Sequence, residues 1–81
     1  MSNWQQDSDR LKRTVEFATF ADAIAFMVRV SFECEKLNHH LEWRNVYNKI
    51  DIELTTHTTG GITDLDHKLA AFIDKVYGQM T

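Results

Sequence analysis

The sequence predicts a two-layer α+β domain in which helices cover one side of an antiparallel sheet. Three observations predict this fold class. Two segments alternate apolar and polar residues, which is the period of a half-buried strand. Each is followed by a segment with apolar residues at helical spacing, and both helical segments begin with a pattern typical of a helix start. The 81 residues include no proline, and their number favours one domain over residues 1–81.

The first strand is predicted from Leu11 to Phe17. Leu11, Val15 and Phe17 lie on one side of it, together with the aliphatic stem of Arg13. This side would face the helices. We also expect a short strand near Trp4.

The first helix is predicted from Phe20 to about Leu37. Thr19 precedes Asp22 by three residues, a spacing that resembles a capping box, in which each side chain bonds a backbone amide of the first turn. A helix that is apolar around most of its girth is usually covered on both sides, so we expect a second subunit to cover one of them. The apolar stripe consists of Phe20, Ile24, Met27, Val28, Ser31 and Cys34, and Phe26, Val30 and Phe32 lie off it.

The second alternating run extends from Arg44 to His57 and predicts one long strand. Gly60 and Gly61 end it with a turn. Its clean division into two sides indicates a sheet covered on one side only. One side carries Val46, Ile50, Ile52 and Leu54, and the other carries Tyr47, Lys49, Asp51, Glu53, Thr55 and His57.

The closing helix follows Thr63, which precedes Asp66 by the three residues of a second capping box. An amphipathic pattern then continues to the end of the chain. Its apolar positions are Leu65, Leu69, Phe72, Ile73, Val76 and Met80.

The composition excludes several functional classes. The net charge is −3 and the Lys and Arg residues are scattered, which argues against a nucleic-acid surface. Cys34 is the only cysteine, so neither an intrachain disulfide nor a thiolate metal cluster can form. No apolar run approaches the ~20 residues needed to cross a bilayer, and residues 1–10 show no signal-peptide core. We therefore expect a cytoplasmic protein with no membrane partner.

Histidines at the ends of predicted elements are the candidates for chemistry. His39 and His40 follow the first helix, and His57 ends the long strand. An unperturbed pKa of about 6.5 suits histidine to proton transfer near neutrality. Glu35 lies four residues before His39 and could bond its imidazole if the helix continues that far. Trp43 offers a flat surface on which a heteroaromatic ring could stack.

Each of these residues also has a structural interpretation. A histidine pair in a loop is often only solvated, His57 could cap backbone groups, and Trp43 could belong to the core or to an interface. Asp66 suits the first turn of a helix, where a negative charge favours the helix dipole. We interpret His67, in the same turn, as exposed.

A metal site is the competing chemical interpretation. Glu35 and His39 have the spacing of a helical metal-ligand pair, and His57 could be a third ligand. However, side chains of adjacent residues such as His39 and His40 diverge by about 100° on a helix, and the sequence has no H-E-x-x-H motif. We therefore favour acid–base chemistry without a metal or another cofactor.

The pattern Glu35-x-x-x-His39-His40, followed by Tyr47, His57 and Asp66, resembles the signature of the pterin-4a-carbinolamine dehydratase family, also known as the dimerisation cofactors of hepatocyte nuclear factor. The resemblance continues through EKLNHHLEWRNVYNKIDIEL and TTHTTGGIT. It also reaches back to the AFMVRV helix, the first strand and Trp4, and so covers nearly the whole chain.

The resemblance implies a four-stranded antiparallel sheet with helices on one face and a homodimer or homotetramer. It implies dehydration of 4a-hydroxytetrahydropterin to quinonoid dihydropterin, which recycles the tetrahydrobiopterin cofactor of aromatic amino-acid hydroxylases. Catalytic residues would be His39, His40, His57 and Glu35, and the pterin site would be lined by Asn38, His39, His40, Trp43, Thr55, Thr56, His57, Thr58 and Asp66.

Within this family framework, we expect His57 and His39 to share the acid and base roles, His40 to hold the pterin and Glu35 to orient a histidine. Two residues depart from the family pattern: Leu41 stands where Pro is common, and Asn38 replaces a usual Asp. Leu41 makes the turn after the histidine pair less rigid, and Asn38 exchanges a charged acceptor for a neutral amide.

A non-catalytic protein-binding module is the alternative function. Animal members of the family also act as dimerisation cofactors for a homeodomain transcription factor, through a helical surface. In this chain, the apolar helix from Phe20 to Leu37 would supply that surface, and a nuclear location would accompany the role. Direct contact with nucleic acid is not expected.

Overall fold

The computed structural model describes residues 3–81. In this range four strands form one antiparallel sheet in the order β1-β2-β4-β3. The α+β fold class is confirmed, and β1 is the short strand expected near Trp4. The elements are β1 (Gln5–Asp7), β2 (Arg10–Glu16), α1 (Phe20–Leu37), β3 (Glu42–Val46), β4 (Lys49–Leu54) and α2 (Asp64–Met80).

Both helices pack on the same face of the sheet. The predicted alternation of β2 is confirmed, because Leu11 and Val15 are buried while Thr14 and Glu16 are exposed. The pattern continues through β4, where alternate residues enter the same core. The core consists of Leu11, Val15, Phe17, Ala23, Phe26, Val30, Cys34, Ile50, Ile52, Leu54, Leu69, Ala70, Ile73 and Val76.

The single long strand predicted from Arg44 to His57 is wrong, because the segment folds into the β3–β4 hairpin. Val46 pairs with Lys49, and the turn places Tyr47 at a φ of 55°. The turn is held against the end of β2, since Asn48 Nδ2 donates to the carbonyl of Phe17 at 2.6 Å.

The hairpin also reverses the side on which β3 residues lie. Val46 was expected to face the helices, but it is opposite Lys49 and therefore lies on the open face of the sheet, where it is exposed. Trp43, which is opposite Ile52, faces the core side instead. Residues opposite each other in neighbouring strands point to the same face of the sheet. Across this two-residue turn an even-numbered residue is opposite an odd-numbered one, so even-numbered residues point to one face in β3 and to the other face in β4.

Helix α1 begins and ends where predicted. The amide of Asp22 donates to Thr19 Oγ1 at 3.1 Å, which is one of the two bonds of the expected capping box. The helix ends at Asn38, which adopts the left-handed conformation with a φ of 52°. Asn and Gly are the residues that most readily adopt this conformation.

The face of α1 that enters the core differs from the stripe read in the sequence. Ala23, Phe26, Val30 and Cys34 are buried against α2 and the sheet. Burial raises the pKa of the Cys34 thiol to about 11. Three residues of the predicted stripe lie on the outer side, with exposed fractions of 51% for Phe20, 37% for Ile24 and 49% for Val28. Phe32, which the prediction placed off the stripe, lies beside them and is 72% exposed.

Helix α2 confirms the predicted amphipathic helix, with Leu69, Ile73 and Val76 buried. Asp74 ties α2 to β2 and to the segment before β1, because it accepts a hydrogen bond from Trp4 Nε1 at 2.9 Å and forms an ion pair with Arg13. In residues 3–81, neither helix is long and apolar enough to span a bilayer.

Candidate active site

His39 lies beneath the end of α1 because the chain turns back there. After the left-handed Asn38, the amide of His39 donates to the carbonyl of Cys34 at 3.0 Å. This bond directs the His39 side chain toward α2 and leaves it nearly buried. Helical geometry therefore does not continue to His39, and the bond expected from Glu35 is replaced by a different partner.

That partner is Asp66, in the first turn of α2. His39 Nε2 lies 2.6 Å from Asp66 Oδ1. The carboxylate is fully buried, and its other oxygen, Oδ2, accepts from Thr56 Oγ1 at 2.8 Å and from the amide of Thr63 at 2.9 Å. Because the Thr56 hydroxyl proton is used there, Thr63 Oγ1 donates to Thr56 Oγ1 across 2.7 Å.

These bonds keep Asp66 ionised. Burial alone raises the pKa of Asp66, but the hydrogen bonds from His39, the Thr63 amide and Thr56 outweigh it and lower the pKa below its usual value. An ionised carboxylate can only accept, so His39 Nε2 carries the proton and donates it. In the neutral His39 ring, Nδ1 is then unprotonated and can accept a proton.

Two observations indicate that His39 Nδ1 contacts solvent, although the residue as a whole is only 8% exposed. Among the described residues, every buried side-chain nitrogen and oxygen has a hydrogen-bond partner, whereas the only bond recorded for the His39 ring is the one at Nε2. A nitrogen that is held by a buried carboxylate on one side and open on the other is arranged as an acid–base group.

His40, the second member of the pair, points away from the core. It is exposed, and its Nε2 lies 3.8 Å from Glu35 Oε1, which is also exposed. Glu35 therefore accompanies His40 rather than His39. Both side chains are free to meet a ligand at the surface.

His57 lies in the turn after β4. The turn is closed by a backbone bond from Thr56 to Gly61 at 2.9 Å, and Gly60 adopts a φ of 71°, a conformation that favours glycine. The His57 side chain is 73% exposed, and its Nε2 lies 3.6 Å from Glu42 Oε2.

Two hydrogen bonds connect the two histidine segments. Thr56, the neighbour of His57, donates to Asp66, which in turn accepts from His39. The histidine pair and the glycine turn are thereby joined to one buried carboxylate, although they are far apart in sequence. Sequence reasoning did not find this connection, and it placed Asp66 only around the site.

The remaining predicted site residues occupy different environments. Thr55 is buried, and its hydroxyl donates to the carbonyl of Asp9 at 2.8 Å. Asn38 and Thr58 are exposed, whereas Trp43 is half-buried and packs against the core. The hydroxyls of Thr55 and Thr56 are thus engaged within the protein, so neither is free to point outward.

Three contributors were not among the predicted site residues: Thr63, Glu42 and Arg10. Thr63 was recognised as a helix cap, and its spacing to Asp66 was the available signal. Glu42 and Arg10 come together only when the hairpin forms, and Arg10 Nη1 then lies 2.9 Å from Glu42 Oε2. No local sequence pattern predicts this contact.

Two concavities of the described residues lie away from His39, His40 and His57. One of about 600 Å³ opens on the sheet and is lined by residues that include Lys12, Thr14 and Asp51. One of about 410 Å³ lies between Trp4 and α2 and includes His67, which is exposed as expected. The histidine site is an open surface around a buried anchor. Within residues 3–81, no three His, Cys, Asp or Glu side chains gather as they would around a metal ion.

The family model for pterin 4 alpha carbinolamine dehydratase matches residues 1–76. The chain belongs to this family. A Synechococcus sp. (strain WH7803) protein, whose assigned name proposes pterin-4-alpha-carbinolamine dehydratase activity, is 50% identical over 74 residues, covering 91% of this chain and 80% of the relative. A Rhizobium meliloti (strain 1021) protein with the same name is 49% identical over 77 residues, covering 93% and 74%.

Solved structures agree with the family assignment. The crystal structure of a transcriptional coactivator/pterin dehydratase from Brucella melitensis superposes with a TM-score of 0.90 at 36% identity, covering 93% of this chain and 82% of that one. A pterin dehydratase-like protein described as a RuBisCO assembly factor in the alpha-carboxysome gives a TM-score of 0.76 at 20% identity, covering 93% and 87%. The second likeness concerns the fold alone.

Proposed function

We propose that this family member dehydrates 4a-hydroxytetrahydropterin to quinonoid dihydropterin by histidine acid–base catalysis. The observation that carries the proposal is the buried Asp66–His39 pair, which orients an accessible ring nitrogen of His39 near a turn that presents an exposed His57. The names of the curated relatives and the Brucella structure support the same substrate class.

The reaction needs two proton transfers and no electron acceptor. A proton is delivered to the 4a-hydroxyl, the C4a–O bond breaks, and water leaves. Loss of the N5 proton allows the N5 electron pair to form the C4a–N5 double bond. One group must therefore donate a proton while another accepts one, and histidine serves both roles near neutrality. Neither step calls for a metal or another cofactor.

His39 and His57 carry these two transfers in our proposal. His39 acts through Nδ1, and Asp66 holds its ring and stabilises the imidazolium that forms when Nδ1 is protonated, as a buried aspartate does in hydrolase triads. Asp66 therefore replaces Glu35 as the residue that orients His39. Glu35 and His40 lie together at the surface, where His40 would hold the pterin.

The other site residues would shape the pterin surface. In this proposal the half-buried Trp43 would form the base of that surface, and the exposed Asn38 and Thr58 would contribute its edges. Because the hydroxyls of Thr55 and Thr56 bond within the protein, we propose that these two residues line the pterin site by fixing the turn that carries His57. The reaction would recycle tetrahydrobiopterin for aromatic amino-acid hydroxylases in the cytoplasm.

The first experiment is to follow the dehydration of 4a-hydroxytetrahydropterin spectroscopically with the wild type, His57→Ala and His67→Ala. The wild type should accelerate the spontaneous reaction, and His57→Ala should lose about 10²–10⁴-fold in kcat. His67 is also exposed but lies by the groove between Trp4 and α2, so His67→Ala should retain the wild-type rate. A folded wild type without acceleration would refute the dehydratase.

A protein-binding module is the second candidate, and the outer face of α1 favours it. Four exposed apolar residues follow one another at intervals of four along the helix: Phe20, Ile24, Val28 and Phe32. Side chains at this spacing are neighbours on the helix surface, so they form one continuous apolar stripe rather than isolated exposed residues. We call this set the outer stripe of α1. The Brucella neighbour is described as a transcriptional coactivator as well as a dehydratase.

We propose that a second copy of the chain covers the outer stripe, in a homodimer or homotetramer. A small domain benefits from such burial. If another protein uses the stripe instead, binding of that protein should survive His57→Ala, whereas dehydration should not. The same variant therefore separates the two functions.

A further inference from the structure

Glu42 occupies a position that requires an explanation. It is directly opposite Glu53 in the β3–β4 pairing, and two like charges in this arrangement destabilise a sheet. Arg10 resolves the conflict, because its Nη1 lies 2.9 Å from Glu42 Oε2 and 2.9 Å from Glu53 Oε1. A carboxylate that would otherwise be repelled is thereby held at one position on the open face of the sheet.

The same oxygen of Glu42 faces His57. Glu42 Oε2 lies 3.6 Å from His57 Nε2, and within residues 3–81 it is the only recorded hydrogen-bond or ion-pair partner of that imidazole. His57 is otherwise exposed on a turn, where its side-chain torsions are free. An exposed histidine without a partner would adopt several rotamers, of which only some could meet a substrate.

We propose that Glu42 is a positioning residue for His57 and that Arg10 holds Glu42 in place for this task. The inference rests on the proposed dehydratase function. Glu42 touches neither the substrate nor the reacting atoms in this proposal. It restricts the imidazole to the orientation needed for proton transfer and offsets the positive charge of the imidazolium when His57 holds a proton.

The expected effect is modest, because the pair is exposed to water. Exposed ion pairs contribute little on their own, but a pterin ring over His57 would exclude water and strengthen the attraction. We therefore expect Glu42→Gln to lower kcat by about three- to tenfold, with KM changed by less than about twofold.

A double-mutant cycle distinguishes positioning from a general structural role. Dehydration rates are measured for the wild type, Glu42→Gln, His57→Ala and the double variant. If Glu42 acts through His57, Glu42→Gln should have no further effect once His57 is absent. Glu53→Gln is the matched control, because Glu53 shares the Arg10 contact but is not recorded as a partner of His57; its kcat should stay within about twofold of the wild type.

The mobility of the His57 ring is measured in parallel by NMR relaxation, which does not depend on turnover. Glu42→Gln should increase the motion of the ring on the picosecond-to-nanosecond scale, and Glu53→Gln should not. An equal rate loss in both backgrounds of the cycle, or unchanged ring motion in Glu42→Gln, overturns the inference. If the wild type does not accelerate dehydration, the proposed function fails, and ring relaxation alone then decides whether Glu42 holds His57.

Discussion

At the scale of single residues, Asp66 is one buried carboxylate that helps to fold the chain and, in our proposal, also serves the chemistry. It accepts the amide of Thr63 at the start of α2, bonds the Thr56 hydroxyl beside the glycine turn, and orients His39. A buried charge is costly unless hydrogen bonds satisfy it. Three donors around one carboxylate meet that condition, which also fixes the local geometry of the site.

The lowered pKa of Asp66 gives its contribution to stability a definite pH dependence. In the unfolded chain an Asp side chain has a pKa of about 3.9. Between this value and the lower folded pKa, the unfolded state binds more protons than the folded state, so stability rises with pH. The contribution of Asp66 is therefore present above about pH 4 and is lost as the pH falls through its folded pKa.

Asp66→Asn tests this contribution. Urea unfolding at pH 7 should show a loss of about 1–3 kcal/mol relative to the wild type, because the hydrogen bonds to a charged acceptor are weakened. The difference should shrink at pH 3, because Asp66 of the unfolded wild type is then mostly protonated and part of the stabilising contribution is already lost. Asp64→Asn, an exposed acid in the same helical turn, should change stability by less than about 0.5 kcal/mol at both values. An equal loss for Asp66→Asn at pH 7 and pH 3 would contradict the role of its charge.

The sequence predicted the histidines as site residues but did not predict the partner of His39. His39 and Asp66 are separated by 27 residues, and their contact depends on how α1 ends and how α2 docks. Neither event can be predicted from the spacing of the residues around His39. Glu35 was the natural candidate because it is local, and the left-handed Asn38 removes it by ending the helix one residue too early.

At the scale of elements, local signals predicted what local interactions determine. The starts of both helices follow from Thr19 and Thr63, whose hydroxyl and backbone groups act within three residues. The β3–β4 turn was not predicted because its two residues, Tyr47 and Asn48, are neither Gly nor Pro. The left-handed conformation of Tyr47 is also uncommon for a bulky residue. The turn is held by local and tertiary bonds together: Asn45 Nδ2 donates to the carbonyls of Tyr47 and Lys49, and Asn48 bonds the end of β2.

The core side of α1 was equally beyond local reasoning, because both sides of the helix are apolar. Two valines of this helix provide a matched test. Val30 is fully buried, whereas Val28 is about half exposed in the single chain. Val30→Ala should lower the free energy of unfolding by about 2 kcal/mol through lost burial and a residual cavity.

Val28→Ala, measured by urea unfolding at low protein concentration, should cost less than about 0.5 kcal/mol. The two substitutions remove the same atoms from the same helix, so propensity changes cancel in the comparison. A larger loss at Val28 than at Val30 would mean that the side of α1 assigned to the core is incorrect.

At the scale of the whole molecule, the outer stripe of α1 is an apolar surface that the single chain leaves exposed. It extends over the 13 residues from Phe20 to Phe32, a length of about 18 Å at the rise of an α-helix. Within residues 3–81 the domain below it has a core of 14 buried apolar side chains, so covering the stripe would add substantially to its stability.

Self-association through this stripe should make stability depend on concentration. If a second copy covers it, the melting temperature of the wild type should rise with protein concentration, because only the folded chain associates. Phe32→Glu places a charge at the most exposed position of the stripe and should yield a monomer in analytical ultracentrifugation, with a melting temperature independent of concentration.

Tyr47→Glu is the control for this experiment, since Tyr47 is also a large exposed aromatic residue but lies at the tip of the hairpin. It should leave the oligomer intact. If Tyr47→Glu dissociates the oligomer and Phe32→Glu does not, the subunits meet at the hairpin, and the outer stripe of α1 remains available to another protein. If the wild type is monomeric at every concentration, self-association is excluded, and the partner-binding function becomes the stronger explanation for an apolar stripe that folding alone does not bury.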